Sequence, residues 1–196
     1  DLRLPSTRGA FRGAVSVLRT DTMHVIGIDP GALGALVILD ADSNRVVDWA
    51  DMPAHDIMVD GRKRKSVDPH GLARILLSWD CDYSDVFGVL EKVSSMPKQG
   101  VASTFAFGRA AMAPEAAMAA LVIPFHLVAP NVWKRVMQCK GDKDDARRRA
   151  SQLLPKDAHL WPAKKDADRA EAALLAVYGA RVHAVKKSDD GRGLLE

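Results

Sequence analysis

Five carboxylates stand where this chain could use them for chemistry. Asp29 closes the apolar run His24–Asp29, where Pro30-Gly31 turns the chain, and Glu91 closes Val86–Glu91 just before the polar stretch Lys92–Gly100. Asp168 and Glu171 are three residues apart and share a helix face; Asp166 and Glu171, five apart, match one face less well. Each acid alone has an ordinary structural explanation. A strand-ending Asp forms turns, and an Asp near a helix start complements the helix dipole. Glu91 resists that explanation, because it follows Val-Phe-Gly-Val-Leu and belongs close to the core. If its strand runs parallel and adjacent to that of Asp29, both acids emerge at one sheet edge, where α/β sheets gather ligands. Converging acids repel one another unless a cation neutralises them. Oxygen donors of this kind suit Mg2+ or Mn2+. Two such ions about 4 Å apart would clamp the attacking and leaving oxygens of a phosphodiester.

The elements that must position these acids are legible in the periodicity. Three apolar runs, His24–Asp29, Ala35–Leu39 and Arg45–Trp49, are separated by turn residues and read as an antiparallel meander. A polar loop holding Arg62, Lys63, Arg64 and Lys65 then leads to Asp68-Pro69, an N-cap followed by proline at the first helical position, and to a helix reaching about Trp79. Val86–Glu91 reads as a buried strand, Thr104–Leu121 as an Ala-rich helix and Pro124–Val128 as another strand. Helices are expected near 131–138, 143–153 and 166–181, with a polar tail fraying from Lys186. Strands first, then helices alternating with strands, predict an α/β fold. Its five-stranded mixed sheet, an antiparallel meander plus two parallel strands, is flanked by helices.

Composition narrows the function. With 196 residues, 47% of them hydrophobic and 27% charged, the chain suits one globular domain and excludes collagen, coiled coil and disorder. No apolar run approaches the ~20 residues that span a bilayer, so no membrane partner is expected. Residues 1–22 mix Arg3, Arg8, Arg12 and Arg19 with Ser, Thr and Gly; they read as an extension (a transit peptide, a tag or residues upstream of a start at Met23). The domain proper is expected over 23–185, with a polar tail over 186–196. Cys81 and Cys139 form no disulfide framework and read as reduced thiols, which points to an intracellular compartment. A bacterial or phage-infected cytoplasm is favoured, with a DNA-containing organelle as alternative.

The net charge of +3 hides two basic clusters. Residues 134–149 carry seven basic side chains against three acids, and Arg62–Lys65 is uninterrupted. Such clusters either track phosphates or form solvated faces, and composition alone does not choose.

An ordered set of motifs goes further. Gly27-Ile28-Asp29-Pro30-Gly31, Leu90-Glu91-Lys92 and the closing Lys164-Lys165-Asp166-Ala-Asp168-Arg-Ala-Glu171 resemble RuvC-type Holliday junction resolvases of the RNase H-like superfamily. Thr104-Phe-Ala-Phe-Gly108-Arg109-Ala110, Val128-Ala-Pro-Asn-Val-Trp-Lys134 and Gly141-Asp-Lys143-Asp-Asp-Ala-Arg147 resemble the segments between. The resemblance spans roughly residues 24–180 and is nearest the plastid and phage branch. It implies an RNase H-like nuclease domain that cuts four-way DNA junctions as a homodimer, with two Mg2+ or Mn2+ ions per active site. By position, Asp29 and Glu91 match the family's strand carboxylates, and Asp168 and Glu171 its final-helix pair. That pair usually ends in Asp, so Glu171 leaves open which of Asp166 and Asp168 accompanies it, with helical spacing favouring Asp168. Lys143 is implied to contact phosphate or stabilise developing charge. Lys134, Arg147 and Arg148 are implied along the DNA path, beside the basic run Arg62–Lys65. The loop after Glu91, with Met96, Pro97, Lys98 and Gln99, is implied to enter the junction and help choose the cutting sequence. Ala110–Met118 is implied in the dimer contact.

Three alternatives remain open on the residues. Another RNase H-like nuclease acting on a hybrid or flapped substrate needs the same acids. A junction-binding protein with a weakened active site is left room by Glu171. An actin-like ATPase or sugar kinase needs a second phosphate loop, which this chain lacks. Trp49, Trp79, Trp133 and Trp161 read as core or interface anchors.

Overall fold

A computed structural model describes residues 22–59, 61–79, 81, 83–94, 100–139 and 142–190. The strands β1 (His24–Asp29), β2 (Ala35–Asp40) and β3 (Arg45–Asp51) form the antiparallel meander. The hairpin β4 (Ala54–Val59) and β5 (Arg62–Val67) follows, then α1 (Pro69–Ser78), β6 (Val86–Glu91), α2 (Val101–Ala120) and β7 (Phe125–Val128). Three helices complete the order: α3 (Pro130–Val136), α4 (Lys143–Leu153) and α5 (Ala167–Asp190). The main sheet has five strands in the order β3-β2-β1-β6-β7, with β6 parallel to both β1 and β7. This is the mixed sheet the periodicity predicts.

Strand alternation decides which face each side chain serves. In β1, Ile26 and Ile28 turn with Leu36, Ile38 and Leu90 towards Leu72 and Leu76 of α1 and Met118 of α2. Val25, Val37 and Val89 turn to the opposite face, against Ala172, Ala173, Ala176 and Val177 of α5 and Trp133 of α3. The sheet is therefore a buried middle layer. Gly27 lies on the α5 face, and a Cβ there would sit 2.0 Å from the Ala172 carbonyl oxygen and 2.4 Å from the Ala176 nitrogen. The missing side chain lets α5 lie directly on β1, which sets the height of everything α5 carries.

The structure differs from expectation in three places. The basic run is not a loop: it forms β5, paired in register with β4 from Ala54↔Val67 to Val59↔Arg62. Four consecutive cations carry little strand signal of their own. Cross-strand charge supplies what propensity does not, because Asp56 pairs with both Lys63 (2.8 Å) and Lys65 (3.1 Å). Asp60-Gly61, a hairpin-turn dipeptide, was the available signal; Gly61 has the positive φ of 71° such turns need. Secondly, α2 begins at Val101, three residues before Thr104. Thirdly, α5 continues through Lys186 to Asp190 instead of fraying there. Among the described residues, no helix is long and apolar enough to cross a membrane.

Candidate active site

Asp29 is the last residue of β1 and falls on the same sheet face as Val25 and Gly27, the face covered by α5. The parallel register pairs Ile28 with Leu90, which sets Glu91 beside Asp29 on the neighbouring strand end. From above, α5 brings down Asp168 in its first turn and Glu171 one turn later. One carboxylate oxygen each from Asp29, Asp168 and Glu171 lies within 4.8 Å of the others. Residues 142 positions apart in sequence thus meet because β1 and α5 pack through Gly27.

The charge balance of this group is unusual. Burial pushes the Asp29 carboxyl up to about 7, and the nearby charges of Glu171, Asp168 and Glu91 add to that; the Gly31 N–H, 3.4 Å away, opposes it. Burial also raises Glu91, against the opposing pull of the Trp133 hydrogen bond and the Lys134 charge. Glu91 stands beside the close triad, its Oε2 accepting from the Trp133 indole Nε1 at 2.8 Å. Two lysines offset the acids. Lys134 Nζ donates to Glu171 Oε1 at 2.7 Å, and Lys143 Nζ lies 3.2 Å from Asp168 Oδ1. Burial acts to lower the Lys134 pKa, but the hydrogen bond and charge of Glu171, with Glu91 behind them, raise it.

Of the final-helix acids, the structure brings Asp168 to the group and turns Asp166 away. Asp166 is buried; its Oδ2 accepts from the Ala163 N–H at 3.0 Å and its Oδ1 lies 3.3 Å from Arg169 Nη1. Arg169 in turn grips Asp51 of β3 at 2.6 Å and stacks 4.0 Å over the Trp49 ring. Asp166 therefore anchors the start of α5 to the sheet edge.

The basic residues separate into distinct groups. Lys134 sits inside the acidic group instead of along a flanking path, and only 22% of its side chain is exposed. Arg147 donates to the carbonyls of Trp161 (3.0 Å) and Pro162 and pairs with Asp144, which ties α4 to the segment before α5. Arg148 pairs with Asp145 one turn back. Lys143, at the first position of α4, keeps 55% of its side chain exposed at the mouth of the site. An open cleft of about 540 Å³ runs from Asp29 and Asp168 past Lys143 to Arg64, Lys65 and the first turns of α2. Arg62 belongs to β5 by its backbone. Met96, Pro97, Lys98 and Gln99 lie outside the described residues.

The sequence reads Trp133 as a core or interface anchor; it is fully buried, and its indole N–H also holds Glu91. A buried indole N–H needs an acceptor, and that requirement was the one signal pointing to a second task.

Thermus thermophilus RuvC in complex with a Holliday junction substrate matches with a TM-score of 0.55, over 82% of this chain and 96% of that one, at 16% identity. The fold is RuvC-like. A second Thermus thermophilus RuvC structure matches with a TM-score of 0.49 at 15% identity, over 82% of this chain and 97% of that one. No protein-family model and no curated protein matches the sequence. On this RuvC-like, RNase H-like sheet the acids occupy the carboxyl ends of β1 and β6, the edge at which α/β sheets place their ligands.

Proposed function

We propose that this chain is a divalent-metal-dependent endonuclease that resolves four-way DNA junctions by paired phosphodiester hydrolysis, working as a homodimer with one site per subunit. The observation that carries this reading is the carboxylate triad Asp29, Asp168 and Glu171, within 4.8 Å, opening onto a cleft lined by Lys143, Arg64 and Lys65. A RuvC-like fold whose structural neighbour holds a Holliday junction substrate supports the choice of DNA.

The donor set fits a hard divalent cation. It consists of carboxylate oxygens alone, and burial, helped by the charges of Glu171, Asp168 and Glu91, pushes Asp29 up to about 7. Asp29, Asp168 and Glu171 would hold the metal, with Glu91 alongside. Bound there, Mg2+ or Mn2+, two ions in this reading, supplies Lewis-acid stabilisation of charge on the phosphate and acidifies a water. The chain's own groups do the rest. Trp133 fixes the orientation of Glu91, and Lys134 neutralises Glu171 so that the acids can lie this close. Lys143, exposed at the mouth, turns from Asp168 to the phosphate oxygens as charge develops on them.

The test is a panel of labelled four-way, Y-shaped, duplex and RNA–DNA hybrid substrates incubated with Mg2+. The expected result is symmetric cutting of the four-way substrate alone, abolished by chelation and by Asp29→Asn. Preferential cutting of the hybrid or Y-shaped substrate would move the assignment to another RNase H-like nuclease. Tight junction binding without cutting at any metal would make the chain a junction-binding protein.

A further inference from the structure

The basic hairpin is not uniformly available to a ligand. Lys63 and Lys65 share Asp56 as a counter-charge at 2.8 and 3.1 Å. Arg64 is different. It is half-buried, and among the described residues no carboxylate pairs with it; its Nη1 donates instead to the neutral Ser103 hydroxyl at 3.0 Å. Its Nε–H is buried and has no acceptor among the described residues. A guanidinium offers five donors in a fixed fork, and removing one from water without an acceptor or a counter-charge is unfavourable. Arg64 also lines the cleft that holds Asp29, Asp168 and Lys143. Ser103 belongs to the first turn of α2, whose Gly100 N-cap supplies no side-chain acceptor.

We infer that Arg64, held by Ser103 at the cleft wall between β5 and α2, anchors a phosphodiester group of the nucleic-acid backbone next to the one acted on at Asp29. An oxyanion in the cleft accepts from the guanidinium and neutralises a half-buried cation that no described carboxylate pairs with. The hairpin then works as a ruler: Arg64 fixes one phosphate while Lys143 and the acids address its neighbour. Lys63 and Lys65, which share the one carboxylate of Asp56, contribute less. This rests on the nuclease reading for the identity of the ligand, and on the geometry of Arg64 for its place.

The test measures binding of a fluorescent four-way DNA junction and of a duplex of matching arm sequence, without divalent metal so that no strand is cut, across a salt series. One lost phosphate contact makes the slope of log affinity against log salt shallower by about 0.9. Arg64→Ala is expected to show that change with affinity about tenfold weaker near 0.1 M salt. Arg64→Lys should keep the slope and recover only part of the affinity, because it keeps the charge and loses the fork. Ser103→Ala should weaken binding with the slope unchanged. If Arg64→Ala melts below the wild type, Arg64→Gln, which keeps part of the stem and a donor without the charge, reads the slope instead. A wild-type slope in the charge-free variants overturns the inference. Displacement of wild-type binding by millimolar inorganic phosphate, with Arg64→Ala insensitive to it, assigns the site to free phosphate and also overturns it. A wild type that binds no DNA removes this subsite and the nuclease reading together. A wild type that shows the Arg64-dependent slope yet cuts no junction with Mg2+ keeps the subsite and removes only the resolvase reading.

Discussion

Lys134 Nζ donates to Glu171 Oε1 at 2.7 Å, so the cation expected to face DNA is the internal counter-charge of the acidic group. The adjacent Trp133 holds Glu91 from the same helix turn, and the Lys134 ammonium lies 5.1 Å from the centre of the Trp133 ring. One dipeptide on α3 thereby controls two of the acids.

Replacing Lys134 by Met leaves Glu171 short of a partner in a partly buried site, which is expected to cost about 2 kcal/mol in metal-free protein. A divalent cation substitutes for that missing charge. The thermal shift produced by saturating Mg2+ should therefore be larger for Lys134→Met than for the wild type. Equal shifts would show that Lys134 and the metal do not share Glu171.

Asp29→Asn separates stability from activity. The charged form of Asp29 is disfavoured by burial and by three neighbouring acids. Removing that charge should raise the melting temperature above pH 7 in metal-free protein while cleavage falls to background. DNA binding should persist or tighten, since a negative charge leaves the path of the phosphate. A lower melting temperature at pH 8 would contradict the charge balance described here.

The pH dependence follows with its sign. Asp29 moves from 3.8 to about 7 on folding, so between those values the native state holds more protons than the unfolded state. Stability of the metal-free protein then falls as pH rises through that window and levels off above it. Because a metal ligand must be deprotonated, Mg2+ binding should release protons near pH 6 and flatten the decline. Calorimetric titration in buffers of differing ionisation enthalpy counts those protons.

Trp133→Phe keeps most of the buried volume and removes the donor to Glu91. Loss of a group that orients a carboxylate of this kind typically costs on the order of 10–100-fold in activity or metal affinity. Cleavage should fall by that amount, with stability changed by about 1 kcal/mol. Unchanged cleavage would make the Glu91 contact a packing detail.

Gly27→Ala tests the approach of α5 to the sheet. Its Cβ would meet the Ala172 carbonyl oxygen at 2.0 Å, backbone against backbone, with no side chain free to yield. The variant should be unfolded or strongly destabilised by circular dichroism, and any folded fraction should bind divalent metal poorly because Asp29 and α5 have been pushed apart.

Much of this architecture is written locally. Continuous apolar runs ended by turn residues specify β1, β2 and β6, and Asp68-Pro69 specifies the start of α1, with Asp68 Oδ1 accepting from the His70 N–H at 3.0 Å. The acids at strand ends and on the last helix are equally visible, because element ends and helix spacing are properties of neighbours in sequence. Pairing and neutralisation are not. Asp166 and Asp168 are two positions apart, yet the Ala163 N–H and Arg169, itself held by Asp51 and Trp49, engage the first while the second joins Asp29 and Glu171. Arg62–Lys65 is four like charges in sequence; in space two of them share Asp56 while Arg64 is left unmatched beside Ser103. Charge and hydrogen-bond partners are chosen by distance through space, over separations such as the 39 residues between Arg64 and Ser103. Local residue order sets which groups are on offer, and the packing of α5 on β1 through Gly27 selects which of them meet.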